Sequence, residues 1–195
     1  RPIGLAIGLS TAMAAAASAL PGGEIVPARD SGLIDGAEFN NATSDRLLGF
    51  ADVSKVCMLQ SYHQSAETFE ITFNKPKYDG LPAKMKAIIA NAAEASSADM
   101  SWKAIDRYSK DYIELQNKDK VKFYKPPDSV LQAQLNVWNT ILEKKSAENP
   151  LFKEIAGSQK AFAERAVKWD QDTNISRRMS VNHFFGAKKA EPKKA

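Results

Sequence analysis

One cysteine and two histidines are all that this 195-residue chain holds of the residues that most often bind transition metals. A lone Cys57 excludes an internal disulfide, and neither His63 nor His183 has a second histidine or cysteine at ligand spacing, so a zinc site is not expected. Cys57 sits in the apolar run Val56-Cys57-Met58-Leu59 and reads as a buried, inert thiol. Gly-x-Ser-x-Gly, Walker A and dinucleotide-binding glycine patterns are also missing. Pro21-Gly22-Gly23-Glu24 is turn chemistry rather than a phosphate cradle. Hydrolase, P-loop and dinucleotide readings therefore lack their usual scaffolds, and a binding protein is expected over an enzyme. No segment supplies the ~20 apolar residues that span a bilayer.

What is present points to an ordinary folded chain. Hydrophobic residues make up 44%, enough for one core or for one domain with an appendage. The formal net charge is +4, with lysines spread along the chain rather than gathered in one stripe, so nucleic-acid binding is not indicated. The exception is the last eight residues, which hold Lys188, Lys189, Lys193 and Lys194; residues 187–195 read as a solvated, disordered basic tail. At the other end an alanine-rich apolar run, Ile3 to Ala17, follows Arg1, and Ala17-Ser18-Ala19 resembles a signal-peptidase site. The chain does not begin with Met, and domain-like sequence starts at Leu20. A secretory signal and a domain segment both remain open for residues 1–19.

Glu24 to Asp30 is a short helix with an acidic first turn, ended near Gly32. Leu33 to Phe39 reads as a short strand that opens into a polar loop, Asn40 to Asp45, the kind of place where α/β sheets put ligands. Lys55 to Tyr62 is a second strand. Thr68 to Asn74 is a third, with Phe69, Ile71 and Phe73 alternating against Glu70, Thr72 and Asn74. A long helix is expected from Ala83 to Asn117, with Met85, Ile88, Ile89 and Ala92 in one stripe and Trp102, Ile105, Tyr108 and Tyr112 in a second. Val121 to Tyr124 is a short strand, stopped by Pro126-Pro127. Asp128 is a plausible N-cap for a helix carrying Leu131, Leu135, Trp138 and Leu142. Pro150 breaks that helix, and Phe152, Ile155, Phe162, Ala166 and Trp169 mark the next. Three segments follow: partial α/β lobes over 1–125, a helical arm over 126–186, and the tail. Too few parallel strands are visible for a complete doubly wound domain, so the chain looks truncated at its N-terminus.

The order of short motifs resembles the solute receptors of tripartite ATP-independent periplasmic (TRAP) transporters. Leu20-Pro21-Gly22-Gly23-Glu24-Ile25 and Gly32-Leu33-Ile34-Asp35-Gly36-Ala37-Glu38-Phe39 resemble that family's P-G-G-E-I helix start and its G-x-I-D-A-x-E-aromatic segment. Leu48-Gly49-Phe50, Val53-Ser54-Lys55, Phe69 to Lys75 and Leu81-Pro82 follow in family order, and the similarity runs from about Arg1 to Gly157. The resemblance implies a periplasmic binding-protein fold with ligand in a cleft between two α/β domains. It also implies an arginine clamp for a carboxylate, for which a guanidinium fork is well suited. The R-x-x-G-L-A motif that carries this arginine stands here as Arg1-Pro2-Ile3-Gly4-Leu5-Ala6, making Arg1 the expected clamp.

In the branch that binds 2-oxo acids, a tryptophan follows the motif's glutamate and a later glutamate helps ligate sodium. Phe39 and Gln64 stand at those positions here, so the resemblance implies an apolar wall without an indole N–H and puts an obligatory sodium in doubt. Asn40 and Asn41 add amides suited to ligand oxygens, or serve as turn residues. The expectation is thus an incomplete α/β periplasmic receptor with a helical C-terminal arm. It captures a small organic anion with Arg1, Glu38, Phe39, Asn40, His63 and Gln64, uses no cofactor, and delivers its ligand to a membrane permease. Its C-terminal helices offer a dimerisation face. The rivals are a non-catalytic helical interaction protein and a hydrolase built on Asp35 and Glu38.

Overall fold

The computed structural model describes residues 5–63 and 69–186. These fall into two compact units that divide between Ile141 and Leu142.

The first unit begins with α1 (Leu5–Ala12), which has an inward face marked by Leu9 at 5% exposure. α2 (Gly22–Asp30) carries Glu24 in its first turn, where a negative charge meets the positive end of the helix, and buries Ile25 and Ala28. It closes at Gly32, whose φ of 75° lets the Leu33 N–H reach back to the Ala28 carbonyl at 2.9 Å. This is the stop expected near Gly32.

Two expectations fail next. Leu33 to Phe39 forms no strand: it runs as irregular chain, with Leu33 exposed and no ladder partner among the described residues. The expected polar loop, Asn40 to Asp45, is largely helix α3 (Ala42–Leu47). The Asn41 side chain accepts from the Thr43 and Ser44 N–H groups, and the Ser44 hydroxyl accepts from the Asn41 N–H. This reciprocal cap satisfies donors that a loop would leave to water.

α4 (Phe50–Val53) follows the left-handed Gly49, and the chain enters β1 (Val56–Met58). The third expected strand is also absent. Residues 69–74 carry no strand, and Phe69, Ile71 and Phe73 are all exposed. Their alternation is real, but a strand needs a neighbour to satisfy its backbone. Thr68 lies outside the described residues, as do Gln64 and Arg1. The basic tail, 187–195, lies outside them too.

α5 (Lys75–Asp79) is capped by Asn74, and α6 (Ala83–Asn117) occupies the expected bounds. β2 (Lys122–Tyr124) then pairs in parallel with β1, in the register Val56↔Lys122, Cys57↔Phe123 and Met58↔Tyr124. Parallel strands need a crossover between them, here carrying α5 and α6. The core is small: Ala51, Leu115 and Val121, with Ala42, Cys57 and Phe123 against them. The Phe123 ring packs 4.6 Å from Tyr112 of α6. Among the described residues the expected α/β character is present as one two-stranded sheet, and helices make up most of the rest.

α7 (Asp128–Glu148) carries the chain from the first unit into the second. Asp128 is its first helical residue rather than its cap, an acidic group in the first turn. The second unit continues with α8 (Pro150–Thr173) and α9 (Arg177–Phe185). Pro150 ends one helix and opens the next, where its missing N–H costs nothing and Asn149 caps the Phe152 N–H at 3.1 Å. No described helix is long and apolar enough to cross a membrane.

Candidate functional site

Two short stretches from separate parts of the first unit meet through Glu38 and His63. The irregular segment after α2 brings Glu38, Phe39 and Asn40. Phe39 lies 5.9 Å ring to ring from Phe50 of α4. Gly22 makes room for it, since a Cβ there would stand 3.1 Å from Phe39 Cε2. Asn40 is exposed, and its backbone N–H donates to the Asp45 carboxylate of α3.

The turn after β1 supplies Ser61, Tyr62 and His63, entered through Gln60 at a left-handed φ of 76°. Gln134 of α7 holds this turn from both sides. Its amide donates to Ser61 Oγ at 2.8 Å, and its carbonyl accepts from the Tyr62 N–H at 2.9 Å. Ser61 Oγ in turn lies 2.6 Å from His63 Nδ1, which orients the imidazole. His63 Nε2 points toward Glu38 Oε1 at 3.7 Å. His63 Nε2 is buried and has no hydrogen-bond partner among the described residues, and the same holds for Asp45 Oδ1.

Charge at the site is held down by burial. The Asp45 carboxyl is pushed up from 3.8 to about 6, chiefly by desolvation, with the Asn40 N–H opposing and the Glu38 carboxylate adding to the rise. The Cys57 thiol is also raised, by its own burial and then by Asp45, which keeps it unreactive at neutral pH. Near pH 6 the Asp45 carboxyl is partly protonated, so the region there is less negative than its residue count suggests.

A separate ionic node fixes α3 beneath the site. Asp111 of α6, only 3% exposed, accepts from Thr43 Oγ1 at 2.5 Å, Arg107 Nε at 2.7 Å and Arg46 at 3.2 Å. The Thr43 hydroxyl first, then the two guanidinium groups, hold its carboxyl below the usual range. Arg46 also reaches Glu114 at 2.5 Å and Asp119 at 3.3 Å. Apart from the Arg107–Asp111 pair within α6, each contact crosses from α3 to α6 or its C-terminal turn, so this node is structural.

Four of the six residues expected from the sequence, Glu38, Phe39, Asn40 and His63, are thus neighbours of α3 or of one another. Arg1 and Gln64 lie outside the described residues. Asn41, singled out for its amide, spends its side-chain oxygen on the helix cap. Sequence reasoning missed Asp45, Ser61 and Gln134. No local pattern marks Gln134, whose partners stand 72 and 73 positions away.

Solved structures share this backbone arrangement. A TRAP periplasmic solute-binding protein from Colwellia psychrerythraea, crystallised with bound calcium and pyruvate, superposes with a TM-score of 0.79 over 90% of this chain, at 22% identity. One from Pseudoalteromonas atlantica, with bound sodium and pyruvate, gives 0.71 over 91% at 19% identity. In sequence, the monocarboxylate 2-oxoacid-binding periplasmic protein of a Nostoc species is 23% identical over 157 residues, 80% of this chain. The chain spans about half the length of these relatives: 54% of each solved chain and 43% of the Nostoc protein. The model of the bacterial extracellular solute-binding proteins, family 7, matches residues 4–149, three quarters of the chain and all of the described site, and the chain belongs to that family.

Proposed function

We propose that this chain is part of a periplasmic receptor that captures a small organic anion, of the monocarboxylate class, and hands it to a TRAP membrane permease. The observation that carries this reading is that the family match covers the stretch in which Glu38, Phe39, Asn40 and His63 come together. In this reading Arg1 clamps the carboxylate, Phe39 forms the apolar wall, and the Asn40 and Gln64 amides donate to ligand oxygens. In this reading His63, with Nε2 3.7 Å from Glu38 Oε1, stands beside the ligand. These roles need no bond-making step; the chemistry is recognition.

A cation accompanies pyruvate in the two solved relatives. Among the described residues no group of three or more His, Cys, Asp and Glu side chains is placed to hold a metal ion. Gln64 keeps a carbonyl ligand but brings no charge. Pyruvate binding is therefore expected in potassium buffer as well as in sodium buffer. Gln64→Glu is expected to weaken it in potassium by about 1.5–3 kcal/mol, the scale of a charged hydrogen bond lost. Calorimetric titration in both buffers tests this, and binding by the unaltered protein only in sodium contradicts it.

A homodimer through the C-terminal helices has one observation in its favour. Leu151, Ile155, Phe162 and Trp169 of α8 are all exposed. Light-scattering mass with and without the helices after Ser146 tests it, and an unchanged mass rules it out.

A further inference from the structure

The Gln134 amide can sit only one way round. The Tyr62 backbone N–H can only donate, so the side-chain atom 2.9 Å from it is the carbonyl Oε1. That turns the amide nitrogen toward Ser61 Oγ, 2.8 Å away, as a donor. Ser61 Oγ also receives the His63 backbone N–H at 3.3 Å. A hydroxyl has two acceptor lone pairs and one hydrogen, and these two N–H groups occupy the lone pairs. The hydrogen remains, and His63 Nδ1 lies 2.6 Å from the same oxygen. Nδ1 therefore accepts, and in the neutral ring the proton sits on Nε2.

Nε2 is buried and makes no hydrogen bond among the described residues, so its tautomer bears on the contact with Glu38 Oε1 at 3.7 Å. At that distance the contact is electrostatic rather than a hydrogen bond. An N–H turned toward a carboxylate oxygen attracts it. The other tautomer would present a nitrogen lone pair to the same oxygen and repel it. We propose that Gln134 is a positioning residue for ligand capture: acting through Ser61, it fixes His63 as an Nε2–H donor toward Glu38 and so holds together the two stretches that carry the candidate site. The role in capture rests on the ligand-binding reading; the place of the proton does not.

The test reverses the polarity of the relay. In Gln134→Glu the side chain still accepts from the Tyr62 N–H but can no longer donate to Ser61. The Ser61 hydroxyl then turns to the new carboxylate, and its oxygen accepts from Nδ1. His63 and His183 are the two histidines of the chain, so His183→Gln leaves one ring to read by nitrogen NMR. At about pH 8, above the ordinary imidazole value, the full chain is expected to show the proton on Nε2. Gln134→Glu is expected to move it to Nδ1, and Ser61→Ala to give intermediate shifts. Both variants are expected to weaken pyruvate binding about tenfold in calorimetric titration, with the circular dichroism unchanged. A proton on Nδ1 in the unaltered ring, or shifts that Gln134→Glu leaves as they were, overturns the proposal. So does pyruvate affinity that neither variant changes. The expected shifts in a protein that binds no carboxylic acid would overturn the capture reading, and with it the role in binding, but not the place of the proton.

Discussion

Asp45 and Asp111 show how one residue type takes opposite roles through its surroundings. Asp45 is raised to about 6 by burial, so between its ordinary 3.8 and about 6 the folded state holds a proton that the unfolded state has released. Stability contributed by this group is therefore lost as pH rises through that window. At about 1.4 kcal/mol per unit the loss is at most about 3 kcal/mol, less because the group is partly exposed. Asp45→Asn is expected to raise stability near neutral pH and to flatten the pH dependence between about 4 and 6. Urea melts across that range check it, and an unchanged slope contradicts it. Asp111 is held below the usual range, so its contribution is present above that range and lost as pH falls through the lowered value. Asp111→Ala is expected to cost about 1–3 kcal/mol at neutral pH, because Thr43, Arg46 and Arg107 lose a shared buried acceptor. Neither role was legible in the sequence. Thr43 and Asp111 are 68 positions apart, and only the packing of α3 on α6 brings them together.

Elements with strong local signals were legible. The turn Asp79-Gly80-Leu81-Pro82 and the pattern after it predict a helix over 83–117, and α6 occupies those bounds. Gly32 stops α2 for the reason its type suggests: it adopts a φ of 75° without strain from a side chain. Strands fared worse because a strand is completed by its neighbour. Val56–Met58 and Lys122–Tyr124 found each other across the sheet, whereas Leu33 to Phe39 and residues 69–74 have the pattern without a partner among the described residues. α3 was hidden by composition, since Asn41 and Ser44 read as loop residues until their reciprocal hydrogen bonds are seen. Asn41→Ala is expected to destabilise the protein by about 1 kcal/mol, with Asn41→Asp or Asn41→Ser recovering most of it. Equal stability of all four proteins in urea would show that the cap does not hold α3.

Across the whole molecule, more apolar surface stands in solvent than a small core accounts for. Ile88, Trp102 and Ile105 of α6 are exposed, as are Phe69 and Ile71 before it. Exposed apolar side chains of this kind favour association, so the chain on its own is expected to self-associate in light-scattering chromatography; a sharp monomer peak with a cooperative melt contradicts that. The family was legible because its signature is an ordered series of short local motifs, each readable without the fold. The ligand was not, because a pocket is made by side chains whose spacing in space the sequence does not state: Glu38 and His63 stand 25 positions apart in the chain and 3.7 Å apart in the structure. The central claim is recognition of a small organic anion. Isothermal titration of the purified protein with pyruvate and larger carboxylic acids, in potassium and in sodium buffers, tests it most directly. The account predicts saturable heat with at least one monocarboxylate in both buffers, weakened when His63 is replaced by Ala. The absence of saturable heat with every acid in both buffers would contradict it.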